Sequence, residues 1–547
     1  MKNKLKIGLI LRNFNELNNW ELRIINEIIN HQKLEIKLII QDGRIKNSIK
    51  SLLKSKFIWR RIFFKLQLLI ERFFFKKPNT VNKNDLINFL EKVEKLILHP
   101  KKINYVDKFN EKESNLVKNY NLDIIIRHDF SIIRGDILNA SKYGIWSFHH
   151  GDNSVNRGSP PGFWEIFLKE KYVGVTLQRL TSELDGGLII DKAYFNRHWS
   201  LVKTQDDIFE SGVALLMKNI NMLIYDNIKF EKSAIYNNPL YRIPNLVNLF
   251  KYSISFYTSL ANKFFILVLQ KLLIVRNDCW TLFIGKGDFL NSQLFRLKPL
   301  KLPKNEFWAD PFLYKKDNQV YVFFENYSYK DKKGKISCGL FNGKKLINIQ
   351  DVLNLDYHLS YPFIFEDNNE LFLIPETSQN RRLEVYKCIN FPNNWELYST
   401  AFENEIIVDS TLLTHDNQKW LFVNKESFEN GPVCNELHIY KIDSLKMNEL
   451  IPHKQNPVLI DSRSARSAGS FFTFENILYR PSQSNTEGIY GRAININIVE
   501  KLSLEEYSEK IIKTIKPNFN KNLKSMHHLH QTDELFVFDA AFKKLYL

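Results

Sequence analysis

"GIWSFHHGDNSVNRGSPPGFWEIFLKEKYVGVTLQRLTSELDGGLII", residues 144–190, reads as strand, loop, helix, strand, turn and strand. Its first apolar run ends at Ser147–Asp152, where two histidines and an aspartate leave regular structure. A loop with a double proline, Pro160-Pro161, leads into a helix from Phe163 to Lys171. "YVGVTLQRL" and "GLIIDKAYF" are two further strands joined by "TSELDGG". Upstream, "LKIGLIL" from Leu5, "NWELRIINEIINH" from Asn19 and "LEIKLIIQ" from Leu34 give strand, helix and strand. "NLDIIIRHDF" (Asn121–Phe130) adds a strand and "RGDILNASK" (Arg134–Lys142) a short helix. This alternation predicts an open, Rossmann-like α/β sheet over residues 1–200. No GxGxxG follows the first strand, so the dinucleotide fingerprint is absent. Functional groups of such sheets gather at the carboxyl ends of strands, and His149 and Asp185 both fall in loops of that kind.

Residues 201–275 read as a helical connector, and from 276 the helical spacing disappears. Five segments can then be laid over one another: "ADPFLYKKDNQVYVFFEN", "SYPFIFEDNNELFLIPET", "VDSTLLTHDNQKWLFVNK", "SAGSFFTFENILYRPS" and "MHHLHQTDELFVFDA". Their anchors Pro311, Pro362, Ser410, Gly469 and His528 are spaced by 51, 48, 59 and 59 residues. That is the period of a four-stranded blade, and residues 276–547 are expected to form an all-β five-bladed propeller.

The 547 residues exceed one ordinary core, and 44% apolar with 25% charged side chains describes a folded chain rather than a disordered one. A formal charge of +17 favours anionic partners without choosing among them. Cys279, Cys338, Cys388 and Cys434 form no CxxC pair and no zinc spacing, so free thiols and no metal are expected. The N-terminal apolar run reads as a strand rather than a signal peptide, and "FFILVLQKLLIV" from Phe264 is short for a spanning helix. A cytoplasmic protein is expected. Arg44–Lys77 holds eleven Lys or Arg and one acid among many aromatic residues. Such a tract could lie on an anionic membrane surface, at the inner face of the membrane, or pack its aromatic side on the sheet.

The 144–190 stretch resembles the core of the folate-dependent formyltransferases through His149, Arg157, Gly158, Pro161, Gly174, Val175, Thr176, Leu184, Asp185 and Gly187. The resemblance implies 10-formyltetrahydrofolate as cofactor. It casts His149 as the group acting on the tetrahedral intermediate formed when an amine attacks the formyl carbonyl, with Asp185 orienting it. Ser147 stands where the family has an asparagine, a donor to the oxyanion. His150 and Asp152 depart from the family loop and, with Arg157, Gly158 and Pro161, are candidate donor or substrate contacts. A polar loop satisfied by its own backbone is the other reading of "HHGD".

"FWADPF" and the later "DS" segment resemble five-bladed propellers of furanosidases, and more closely those of glucosamine inositolphosphorylceramide transferases. That resemblance implies a central funnel collecting Asp310, Tyr361, Glu376, Asp409, Arg466, Arg480 and His528. Paired carboxyls suit glycoside chemistry, whereas arginines and histidines suit an anionic ligand such as a sugar phosphate or nucleotide. Asp310 could equally cap the turn before Pro311. The combined expectation is formyl transfer to the amine of a nucleotide-linked amino sugar in surface polysaccharide synthesis, with no nucleic-acid partner. The alternatives are a propeller that transfers or hydrolyses a glycosyl group, or a non-enzymatic glycan scaffold.

Overall fold

The computed structural model describes residues 4–44, 58–183, 187–225, 228–272, 275–276, 279–543 and 545–546. The chain divides into two compact units, Met1–Tyr257 with Phe428–Gly431, and Thr258–Ser427 with Pro432–Leu547.

The first unit holds, in chain order, β1 (Leu5–Ile10), α1 (Asn19–Asn30), β2 (Leu34–Asp42), α2 (Ile58–Phe74), α3 (Lys83–Lys92) and β3 (Lys95–Leu98). β4 (Lys101–Ile103), β5 (Val106–Lys108), α4 (Glu111–Lys118), β6 (Ile124–Arg127), β7 (Ile132–Arg134) and β8 (Ile145–His149) follow. The unit continues with α5 (Phe163–Phe167), β9 (Tyr172–Arg179), β10 (Leu188–Asn196), α6 (Leu201–Glu210), α7 (Gly212–Ile224) and the start of α8 (Leu246–Lys271). One sheet runs in the order β10-β9-β8-β6-β1-β2-β3. Its strands from β3 to β8 are parallel, while β9 and β10 run antiparallel. Near-continuous Ile and Leu runs in β1 and β6 fit strands covered on both faces.

Two expected helices are shorter than their sequence suggests. Arg134–Lys142 yields only a 3₁₀ turn at Asp136–Asn139. α5 stops at Phe167, and two residues on Lys169 takes a left-handed φ of 59°, which a continuing helix forbids.

The second unit is all-β apart from the rest of α8 and short 3₁₀ turns. After β11 (Val275–Arg276) and β12 (Cys279–Lys286) come three antiparallel sheets. They are β13 (Glu306–Lys316) to β16 (Leu346–Leu353) through β14 (Gln319–Ser328) and β15 (Lys333–Phe341); β17 (Ser360–Asp367) to β20 (Asn394–Ala401) through β18 (Glu370–Glu376) and β19 (Leu383–Asn390); and β21 (Ile407–His415) to β25 (Leu459–Ile460) through β22 (Gln418–Lys425), β23 (Glu436–Ile442) and β24 (Leu450–Pro452). A fourth joins β26 (Phe472–Phe474), β27 (Ile477–Thr486), β28 (Ile489–Leu502) and β29 (Tyr507–Ile515). The fifth joins β30 (Leu523–Ser525), β31 (Leu529–Gln531) and β32 (Leu535–Phe542) to β12, so the first long strand of this unit pairs with its last.

The first strands of three sheets share one irregularity. Pairing slips between Ala309 and Phe312, between Ser360 and Phe363, and between Val408 and Thr411. Asp310, Tyr361 and Asp409 sit inside these bulges with φ of 49°, 46° and 49°. Left-handed backbone at a non-glycine residue is costly, and its repetition marks a position held by its surroundings.

Candidate functional site

Each unit carries one cluster of ionisable side chains at its strand ends. In the first, β8 delivers Ser147 and His149 beside Arg127, the last residue of the neighbouring β6. Arg127 Nη1 donates to Ser147 Oγ at 2.9 Å, and its other N–H groups donate to the carbonyls of Asp129, Phe130 and Ser131. Burial lowers the pKa of this guanidinium, while Asp129 and Asp107 favour its charged form. Ser147 is 2% exposed, so the hydroxyl expected to face an oxyanion is instead covered by a cation. His149 Nε2 lies 2.9 Å from the carbonyl of Asn156. A carbonyl only accepts, so Nε2 carries the hydrogen and Nδ1 is the basic atom of the ring.

His149, Arg127, Ile133, Gln178 and Leu180 line a cavity of about 170 Å³ whose wall also includes Glu183 and Gly187. Asp185, with Leu184 and Gly186, lies outside the described residues; both flanks of that segment border the cavity. Gln178 Oε1 is buried there without a hydrogen-bond partner. A flat heteroaromatic group with an N–H edge and an apolar face suits this wall, so the residues present fit a reduced folate head. Beyond it, an open cleft of about 1140 Å³ lies past the carboxyl ends of β1 and β2, bordered by Arg12, Asn13, Arg44, Lys95 and Lys102. Ser131 borders both spaces.

The remaining expected contacts are held by the fold. His150 packs among Trp20, Phe148 and Phe209, and burial pushes its pKa down to about 3. Asp152 accepts from Lys192 Nζ and Ser154 Oγ, both at 2.6 Å. Desolvation would raise its pKa, but these donors outweigh it and hold the carboxyl below its usual range. Arg157 donates to Asn153 O and Ser233 Oγ and lies over the Tyr236 ring at 4.6 Å. Gly158, at φ 131°, bridges Tyr241 so closely that a Cβ would sit 2.0 Å from its carbonyl oxygen. Pro161 O accepts from Gln205 at 3.0 Å. Arg157, Gly158 and Pro161 therefore fix the loop after β8 against residues 233–241 and α6.

His128, next to Arg127, is fully buried with neither ring nitrogen hydrogen-bonded, and Nδ1 lies 3.8 Å from Glu21 Oε1. Desolvation, with Arg12 and Arg127, pushes its pKa down to about 3. The unfolded chain binds a proton at about pH 6.5 that the folded one refuses, so stability is full above that pH and falls on acidification toward pH 3. The expected slope is about 1.4 kcal/mol per pH unit from this residue. Thermal melts from pH 7 to pH 4 check it, because His128→Phe should flatten the profile relative to the native chain.

The second cluster collects six of the seven expected funnel residues. Tyr361 N donates to Asp310 Oδ2 at 3.2 Å, and the Tyr361 hydroxyl meets Thr411 Oγ1 at 2.8 Å and the backbone of Gly469. Arg466 Nε donates to Asp409 Oδ2 at 2.6 Å, and its Nη2 lies 3.6 Å from Glu376 Oε2. His528 Nδ1 is 3.6 Å from Asp310 Oδ1, and its ring packs on Phe312 and Tyr361. Arg480 goes elsewhere: it is 1% exposed and forks onto Glu509, with Ser464 O as a third acceptor.

The structure adds Glu325, Tyr490, His527 and Asp539 to this site. Asp539 accepts from the backbone N–H groups of Asp310, His527 and His528 and from His527 Nδ1 at 2.8 Å. His527 Nε2 then faces Asp310 Oδ1 at 3.6 Å. Burial alone would lower the pKa of His527; Asp539 and Asp310 outweigh it and raise it. Asp310, Glu325 and Glu376 are each raised, first by burial; Asp539 and Asp409 add to Asp310 against His527, Asp310 and Glu376 add to Glu325, and Asp409 and Asp310 add to Glu376 against Arg466. The arrangement can hold and exchange protons near neutral pH. Asp310, His527 and Asp539 offer ligand atoms close enough for a cation. Four N–H donors already occupy Asp539, which suits an imidazolium bridge between two carboxyls better than a metal. The sequence held one missed signal: Glu325 and Glu376 take matching places opposite Ala309 and Ser360 in successive hairpins.

Residues 299–535 match the family model described as "Glucosamine inositolphosphorylceramide transferase 1, N-terminal". Among curated proteins, the glucosamine inositolphosphorylceramide transferase 1 of Oryza sativa subsp. japonica is 35% identical over 211 residues, covering 38% of this chain and 28% of that protein. A methionyl-tRNA formyltransferase of Rickettsia bellii is 32% identical over 114 residues, covering 20% of this chain and 38% of that protein. A sugar N-formyltransferase from a Shewanella species is a solved structure with 13% identity, 45% of this chain and 87% of that chain covered, and a TM-score of 0.30. The chain thus spans well under half of the length of either curated relative. In two separate stretches it is similar to two kinds of transferase, one acting with a formyl group and one named for a glycosylated sphingolipid.

Proposed function

We propose that the first unit transfers a formyl group from 10-formyltetrahydrofolate to the amine of a nucleotide-linked amino sugar, in the assembly of a surface glycan. The observation that carries this reading is the pair of spaces meeting at Ser131, the small one walled by His149, Gln178 and Arg127, the large one bordered by Arg12, Arg44, Lys95 and Lys102. Ile133, Leu180 and Gln178 would hold the folate head, which supplies an activated formyl carbonyl. Lys95 and Lys102 would meet the phosphates of the acceptor in this cleft, which Glu16, Asp42, Glu91, Asp107 and Asp129 also line and where Arg44 is already paired with Asp42 and Asp107. His149 Nδ1 would take the proton released at the attacking amine nitrogen, the ring being oriented by its Nε2 bond to the Asn156 carbonyl, and Asp185 would favour the resulting imidazolium through its charge. Ser147 stands where the formyltransferases carry an amide donor, and Arg127, which donates to Ser147 Oγ, would place its positive charge beside the negative charge developing at the carbonyl oxygen.

In the second unit, the five sheets are proposed to be blades of one ring, closed by the pairing of β12 with β32, with Asp310, Glu376 and Asp409 in its funnel. This unit would bind or process the carbohydrate. A reading in which it performs glycosyl chemistry itself is favoured by two buried carboxyls with raised pKa, Asp310 at 3.6 Å from His527 Nε2 and Glu376 at 3.6 Å from Arg466.

Incubating the full chain with 10-formyltetrahydrofolate and a panel of nucleotide-linked amino sugars tests the first reading. Mass spectrometry should find the added CO on the sugar, and calorimetry should find folate binding. Absence of folate binding sinks it. Glycosyl release or transfer lost in Asp310→Asn, with no formyl product from any acceptor, would favour the second.

A further inference from the structure

Helix α2 packs Phe64 and Leu68 against Phe163, Leu201, Leu249 and Tyr252, yet the side chains it buries most deeply are polar. Gln67 and Glu71 are its buried residues, whereas Trp59, Ile62, Phe63, Leu66, Leu69 and Phe73 are exposed, Phe73 by 87%. Those six recur at three- and four-residue steps and form one apolar stripe facing away from the protein. Over residues 58–74 the expectation that this tract packs its aromatic side inward holds for Phe64 and Leu68 and fails for the six exposed side chains; residues 45–57 lie outside the described part.

The buried polar side chains are held by hydrogen bonds. Glu71 accepts from the Tyr252 hydroxyl at 2.6 Å, the Ser200 hydroxyl at 2.7 Å and Val202 N at 3.2 Å, and Gln67 Oε1 accepts from Ser253 Oγ at 2.9 Å. With Gln67 Nε2 at 3.1 Å as a fourth donor, this buried carboxylate, together with the inward packing of Phe64 and Leu68, fixes the rotation of the helix. The opposite stripe is thereby kept in solvent at the expense of burying it, which a soluble protein has no reason to do. Arg61, Lys65 and Arg72 run along one edge of the stripe at helical spacing, and Lys76 and Lys77 follow its end. Arg72 is bound to Asp206, and the exposed Arg61 and Lys65 border the apolar side chains.

Helix α8 repeats the pattern. Leu249, Tyr252 and Phe256 are buried, while Val247, Phe250, Ile254 and Tyr257 are exposed, and further along so are Phe264, Phe265 and Leu267. Among the described residues this 26-residue helix is the one long and apolar enough to cross a bilayer, although the sequence reading had set its apolar run aside as too short. Interruption by Asn, Ser and Lys hid it from a count of consecutive apolar residues. Its buried first half keeps that half lying along the protein.

We propose that the exposed stripe of α2, edged by Arg61 and Lys65 and joined by Val247, Phe250 and Ile254 at the start of α8 in the same unit, seats the protein on an anionic lipid surface. Trp59, Phe63, Leu66 and Phe73 enter the headgroup boundary, and the basic side chains meet lipid phosphates. This holds whether or not formyl transfer is the reaction.

Flotation of the full chain with phosphatidylcholine vesicles, with and without phosphatidylglycerol, tests it. The native chain should float with the anionic vesicles, less so as salt is raised. Phe63→Glu with Leu66→Glu should lower partitioning by more than roughly tenfold, and Arg61→Glu with Lys65→Glu by about tenfold on anionic vesicles alone. All four positions are exposed, so unchanged melting temperatures are expected and serve as the folding control. No flotation by the native chain overturns the proposal, as does equal flotation by the Phe63→Glu, Leu66→Glu variant. A dimer seen by light scattering and lost in that variant, without vesicle binding, would assign the stripe to a second copy instead and overturn it too.

Discussion

His149→Ala should lower formyl transfer by about 10²–10⁴-fold, the usual worth of a positioned acid–base group, while folate binding measured by calorimetry changes little. The Asn156 carbonyl fixes the hydrogen on Nε2, so Nδ1 is the ring atom that would take up a proton. No other imidazole nearby can replace it. His150 and His128 are held neutral by burial, each with a pKa near 3, and so bind a proton too weakly to serve at neutral pH. His149→Gln should be as damaged as the alanine variant, since an amide can keep the bond to Asn156 but cannot take up a proton. A glutamine variant with native rate would end the base assignment. Arg127→Met is the companion test: it should impair kcat more than KM if the guanidinium faces developing charge, and KM alone if it merely binds the acceptor.

Arg466→Met should destabilise the second unit by about 3–5 kcal/mol, because Asp409 would be left buried without its guanidinium. Only Gln483 Nε2, at 3.2 Å, would still donate to that carboxylate from a side chain among the described residues. Glu376, already raised by burial and by Asp409, loses the cation that opposes those effects and would rise further. The double variant Arg466→Met, Asp409→Leu should recover most of the loss, since removing both partners leaves no uncompensated charge. Urea unfolding of the native chain, both single variants and the double variant closes a thermodynamic cycle. A near-zero coupling energy would mean that the pair is solvated. Arg466→Lys separates charge from shape: a lysine keeps the cation but not the directed Nε bond, and should fall between the extremes.

Much of the architecture follows from periodicity, which is local. Apolar runs with helical or alternating spacing mark β1, α1, β2, β9 and β10 at nearly their observed limits and β6 and β8 within longer runs, and Asp/Asn-rich turns mark the hairpins of the second unit. Hairpin register likewise put Asp310, Tyr361 and Asp409 at equivalent places, where the same left-handed bulge recurs. Helix ends were less legible, because α5 is ended by the conformation of Lys169 rather than by a proline or glycine.

What the chain order determined by itself is which residues share a strand end: His149 with Ser147, Asp310 with its counterparts, Glu376 with its hairpin. What only the tertiary structure decided is which of them meet across different strands. Arg127 reaches Ser147 because parallel pairing sets β6 beside β8, twenty positions apart in the chain. His527 and Asp539 join Asp310 because β32 lies near β13, and Arg480 leaves for Glu509 because a buried guanidinium takes the nearest carboxylate that can fork onto it. The outward stripe of α2 is of the same kind, since its pattern announces an amphipathic helix and partners far along the chain, Tyr252, Ser200 and Ser253 among them, determine which face is held inside. Local spacing fixes the elements; long-range donors and acceptors, which must be satisfied once water is gone, fix how they turn toward one another.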